Sequence, residues 1–126
     1  MYPGHWGKVT PDKPVTIDAA TGETVSHGEL DERSTRLARL LRSGGLQPGD
    51  HMTLFMENHP RYFEVVWAAL RSGLVLTTVN RYLTAEEAGY IVDNCDAKAI
   101  VTSQKLADAA TGLLPLAPGC DLRLMV

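Results

Sequence analysis

The chain has 126 residues, 44% of them hydrophobic and 21% charged, with a net charge of −3 and a pI near 5.7. That balance fits one globular domain and excludes a disordered segment; its mild acidity supplies no field that would draw it to nucleic acid or anionic lipid. The longest apolar run, Val65 to Leu70, is far short of the about 20 residues that a membrane span needs.

Met1 to Pro14 is rich in Pro and Gly and reads as an arm. Its first residues lack the basic-then-apolar order of a signal peptide. "PVTID", Pro14 to Asp18, is a short strand that turns at Thr21-Gly22 and returns over Glu23 to Ser26. Ser26 and Glu29 form a capping box, in which the Ser hydroxyl accepts from the Glu amide and the Glu side chain reaches back. Leu30, Ser34, Leu37, Ala38 and Leu41 then share one helical face, and Gly44-Gly45 stops the helix. His51 to Met56 is a buried strand. Asn58-His59-Pro60 opens a second helix, with Phe63, Val66, Trp67 and Leu70 inward and a stop at Gly73. Leu74 to Val79 is a strand. Thr84 and Glu87 form another capping box, for a helix burying Ala88, Ile91, Val92 and Cys95. Ala97 to Thr102 is a strand, Ser103 to Ala110 a short helix, and Asp121 to Val126 a final strand. This alternation predicts an α/β fold: a layered domain rich in parallel sheet, with helices on the sheet faces and a short N-terminal β-hairpin before it.

Chemistry is sparse. Arg33, Arg36, Arg39 and Arg42 step by three and drift round their helix, while Glu29 and Glu32 stand four residues before Arg33 and Arg36. These are helix-supporting pairs on a solvated face rather than an anion clamp. No G-x-G-x-x-G or Walker-type loop occurs, and Gly44-Gly45 follows a helix instead of opening one. His5, His27, His51 and His59 are scattered, and Asp93, Cys95 and Asp96 mark a helix end. No metal site is assigned, since metal ligands need tighter spacing. Cys95 and Cys120 suit a reduced, cytoplasmic chain. Ser103 is read as an N-cap. Asn58 and Asn80 follow strands, where open parallel sheets keep their ligand crevice; they are the positional candidates for a pocket lining, against the commoner turn-forming role of asparagine. No catalytic, cofactor-binding or metal-ligating residue is assigned within the chain.

Five phrases in register carry a family likeness: "TPDKPVTI" from Thr10, "SHGELDERSTRLA" from Ser26, "GLQPGDHM" from Gly45, "NHPRYFEVVWAALRSG" from Asn58 and "NRYLTAEEAGYIVDNCDAK" from Asn80. Together they resemble the N-terminal region of fatty acyl-CoA synthetases, in the adenylate-forming (AMP-binding) ligase superfamily. The chain departs from the family pattern at His27, where an aromatic is usual. It also lacks the prolines that flank the family's asparagine, here Asn80, and carries Gly89 inside a helix. The resemblance implies that residues 1–126 are an incomplete part of the large N-terminal domain. The signature phosphate loop and the C-terminal domain with its catalytic lysine would follow Val126. It also implies an enzyme that uses ATP with Mg2+ to turn a fatty acid into an acyl-adenylate and then passes the acyl group to coenzyme A. The 126-residue piece alone is expected to be inactive and, with cut surfaces exposed, to self-associate. The rival reading is a free-standing, non-catalytic α/β binding or dimerisation module.

Overall fold

The computed structural model describes residues 2–126. Pro14–Ile17 (β1) and Thr24–Ser26 (β2) pair antiparallel. Four further strands, His51–Phe55 (β3), Val75–Val79 (β4), Ala97–Thr102 (β5) and Leu122–Met125 (β6), form a parallel sheet in the order β4-β3-β5-β6. The hairpin and the parallel sheet are as the sequence predicts. Helices Pro3–Val9 (α1), His27–Ser43 (α2), Tyr62–Arg71 (α3), Ala85–Asn94 (α4) and Ala107–Leu113 (α5) complete the chain.

Each sheet face has its own core. On one, Leu41, Met52, Leu54, Val65, Ala68, Ala69 and Val101 bury together beneath α2 and α3. On the other, Phe55, Val79, Ala88, Val92, Ile100 and Leu113 bury beneath α4 and α5. Strand residues alternate between the two cores, as their period of two requires. Both capping boxes form: Ser26 Oγ accepts from Glu29 N at 3.2 Å and Glu29 Oε2 from Ser26 N at 2.9 Å, with the same reciprocal pair at Thr84 and Glu87. The left-handed stops fall at Gly45 (φ 98°) and Gly73 (φ 69°).

The structure corrects four local readings. The N-terminal arm contains α1, which begins at Pro3 and lies against α2; Met1 lies outside the described residues. So short a helix draws its stability from packing rather than propensity, and a Cβ on Gly7 would stand 3.0 Å from that of Asp31. Helix α3 starts at Tyr62, not Asn58. The 58–61 segment is a turn in which His59 Nδ1 accepts from Arg61 N at 3.1 Å and His59 O from Tyr62 N at 2.9 Å. The buried face of α3 is Glu64, Val65, Ala68 and Ala69; of the residues predicted inward, Val66 packs half-buried against the core and Trp67 is half-buried, while Phe63 and Leu70 are 49% and 53% exposed. Small residues let α3 approach the sheet and α2 closely, so bulk points outward. Finally, Ser103 precedes a 3-10 turn, Gln104–Leu106, and makes no side-chain cap; α5 follows that turn.

Gly89 has a packing reason. A Cβ there would lie 2.8 Å from the Cβ of Leu116, in the turn that follows α5. The helix accepts a poor helix former so that this turn can lie against it.

Candidate functional site

Neighbouring strands β3 and β5 send the chain in opposite directions: β3 leads through α3 to β4 on one side, and β5 through α5 to β6 on the other. Such a switch point opens a crevice at the carboxyl ends of the two strands. Glu57 and Asn58 leave β3 here, Ser103 leaves β5, and Asn80, Arg81 and Tyr82 leave β4.

A cavity of about 330 Å3 is lined by Glu57, Asn58, Tyr62, Asn80, Arg81 and Tyr82, among others. It adjoins a groove of about 740 Å3 between the β1–β2 hairpin and the β3–α3 turn, lined by Ile17, Asp18, Glu23, His59, Pro60 and Phe63. Asn58 and Tyr62 line both. The two asparagines singled out from position alone therefore meet in one cavity. Asn80 also shapes its own turn, its Oδ1 accepting from Tyr82 N at 3.1 Å. The Arg81 guanidinium lies 4.2 Å from the centroid of the Tyr82 ring, a cation–π stack.

Glu57 was not picked out by sequence reasoning, and Ser103 was read only as an N-cap. Ser103 is 1% exposed, and its hydroxyl donates to Glu57 Oε2 across 46 residues of chain. Burial pushes the Glu57 carboxyl up. Donation from Ser103 and from its own backbone N–H, with His59 and Lys105 nearby, outweighs that and leaves it below the ordinary glutamate value. The available signal was weak: a Glu directly after one strand and a Ser directly after another, with no motif joining them.

Of the remaining sequence candidates, His59 lines the groove and the arginines lie elsewhere. Arg33 pairs with Glu29 at 2.9 Å and with Glu64 of α3 at 3.2 Å, and Arg36 pairs with Glu32 at 3.6 Å. Arg36, Arg39 and Arg42 are exposed. Arg71, which the sequence did not flag, is 10% exposed; it holds Asp31 at 2.7 Å, donates to Thr35 and lies 5.3 Å from the centroid of the Tyr2 ring. These groups bind α1, α2 and α3 to each other and lie outside the crevice lining. Asp50 holds Lys98 at 2.7 Å at the amino end of the sheet. Burial pushes the Cys120 thiol up to about 11, which makes it inert. No group of three or more His, Cys, Asp or Glu among the described residues is arranged to hold a metal ion. The crevice offers carboxamides, a carboxylate and a guanidinium, which are groups for binding and orienting. Ser103, whose hydroxyl adjoins a carboxylate, is 1% exposed and stands on the lining of neither cavity.

Comparison with known proteins gives a family match over nearly the whole chain: the profile described as AMP-binding enzyme fits residues 4–122. The 3-oxocholest-4-en-26-oate--CoA ligase of Rhodococcus rhodochrous is 31% identical over 100 residues, covering 79% of this chain and 18% of that protein. The N-terminal domain of FACL13 from Mycobacterium tuberculosis superposes with a TM-score of 0.90 at 17% identity, over 98% of this chain and 32% of that one. A benzoate CoA ligase from Burkholderia xenovorans LB400 superposes at 0.88 with 27% identity, over 98% and 24%. The chain thus spans about a fifth of the length of the curated relative named here.

Proposed function

Because the chain belongs to the AMP-binding enzyme family, we propose that it is the N-terminal part of the adenylating domain of a cytoplasmic acid–thiol ligase. In this reading the whole enzyme condenses a fatty acid with ATP to an acyl-adenylate, releasing pyrophosphate. The thiol of coenzyme A then attacks the acyl carbon and AMP leaves. The observation that supports it most is the family match from residue 4 to 122, on a fold that superposes on CoA ligases over 98% of its length.

Within that scheme residues 2–126 provide a wall. The two-sided core fixes the sheet, and the sheet fixes where Asn58, Asn80 and Arg81 stand at its carboxyl edge. A rigid wall of this kind helps to exclude water from a reactive mixed anhydride. The magnesium ion that accompanies ATP finds no ligand set among the described residues.

The test uses the reading frame that encodes this chain together with its flanking sequence. A phosphate loop within about 100 residues after Val126, and pyrophosphate release dependent on a fatty acid in the expressed product, support the reading. A stop codon directly after Val126 overturns it. The 126-residue chain alone releases no pyrophosphate from ATP in the same assay; clear turnover by it would show that the catalytic groups lie here after all.

A further inference from the structure

The Glu57–Ser103 bond lies at the switch point itself. It joins the loop leaving β3 to the end of β5, the two neighbours whose connections diverge. At such a place the backbone ladder ends, and nothing in sheet geometry alone sets how far apart the two loops stand. Ser103 is 1% exposed and Thr102 beside it 5%, so this side of the clip is fixed in the core. Glu57 is half-buried, and the next residue, Asn58, is exposed and lines both cavities. We propose that Glu57 and Ser103 are a positioning pair: their hydrogen bond clips the β3–α3 loop to the end of β5 and so sets the place of Asn58 and His59 at the mouth of the crevice. The proposal stands whether or not the ligase reading holds, because it concerns the geometry of this chain.

The clip responds to protons. A hydroxyl bonded to a carboxylate makes a charge-assisted bond, stronger than one between neutral groups. Protonation of Glu57 removes that charge and gives the carboxyl a proton of its own to place. The charged and titratable groups round it are His59 on the same loop, Lys105 on the turn after β5 and Arg81 across the cavity, with the Tyr62 and Tyr82 hydroxyls on its lining. The cations among them favour the carboxylate. The clip is therefore closed at neutral pH and loosens once the pH falls below the ordinary glutamate range.

The experiment is a pH titration of the 126-residue chain by NMR, following the Glu57 side-chain carboxyl carbon and the amides of Asn58 and His59. The expected result is a Glu57 midpoint below that of an unstructured glutamate, with both loop amides tracking it. If the loop amides ignore that titration, the proposal fails, and this needs no variant. Ser103→Ala raises the Glu57 midpoint and speeds hydrogen exchange at Arg61 and Tyr62, whose amides donate to His59, by about tenfold or more, while Leu54 and Val101 amides exchange at the wild-type rate. Equal acceleration at all these amides would make the pair a source of global stability only, and would overturn the positioning role. Glu57→Gln keeps an oxygen for Ser103 to donate to but loses the charge that strengthens the bond, so at neutral pH its loop exchange falls between those of wild type and Ser103→Ala. It loses the pH dependence. A Glu57→Gln loop as fast as that of Ser103→Ala would also count against the proposal.

Discussion

Replacing Gly89 with alanine sets two effects against each other. Helix propensity favours alanine by about 1 kcal/mol. The new methyl would sit 2.8 Å from Leu116 Cβ, an atom tied closely to backbone, and overpacking of this kind costs about 1–3 kcal/mol. The steric term is the larger, so Gly89→Ala lowers stability by about 1 kcal/mol, read from the midpoint of urea unfolding. A more stable variant would mean that the turn carrying Leu116 gives way easily. Arg71 raises a different balance. Its side chain is 10% exposed and Asp31 29% exposed, so the pair is largely withdrawn from water. Arg71→Ala leaves Asp31 without its cation and costs about 2 kcal/mol, between the exposed and the buried limits for an ion pair. It also removes the surface against which Tyr2 packs. A loss below about 1 kcal/mol would place this pair with the weak surface bridges.

Among the elements, α2 has the most legible signals. Its cap, its inward leucines and its glycine stop follow from local rules, and all form as written. Ser26→Ala removes one half of the capping box and costs about 1 kcal/mol, checked by the same unfolding measurement; no loss would mean that the first turn is held by tertiary contacts alone. The strands of the sheet were legible too, because runs such as "AKAIVT" are bounded by clear stops. Helix α3 was not legible in orientation. Its large apolar side chains, Phe63 and Leu70, mark a face by hydrophobicity, but the packed face is the one with alanines, since close approach to α2 rewards small volume. Nor was α1 legible: a seven-residue helix with two glycines exists only because α2 is there to receive it. The crevice was half legible. Asn58 and Asn80 could be placed because loops after parallel strands converge. Glu57 and Ser103 could not be joined, because their meeting depends on β5 lying beside β3, a fact of topology that no local window contains.

For the whole molecule, acid is the expected weak point. Donors hold four carboxyls below their ordinary range: the Thr21 amide first for Asp18, the Ser26 amide for Glu29 and the Lys98 ammonium for Asp50, and, against the upward push of burial, the Ser103 hydroxyl for Glu57. Groups lowered in the folded state bind fewer protons there than in the unfolded state. Their contribution is complete above the ordinary carboxyl range and is lost as the pH falls through the lowered values. The urea midpoint should therefore be flat near neutrality and fall below about pH 5; a midpoint that rises there contradicts the assignment. The surface carries a second expectation. Phe63 and Leu70 stand seven residues apart on the outer side of α3 and are about half exposed, an apolar strip of the kind that drives association. The 126-residue chain should self-associate at micromolar concentration, and the double change Phe63→Ser with Leu70→Ser should reduce it. Light scattering that gives a monomer mass across that range would refute this. The end of α2 has a consequence in time. Leu122, at the start of β6, fills the notch where Gly44 has no side chain, approaching its would-be Cβ to 2.8 Å. Roughly eighty residues separate the two, so at ribosomal rates of about 5–20 residues per second that notch stays open for about 4–16 s of synthesis. During that interval the end of α2 lacks the side chain that covers it, and the arrival of β6 closes it.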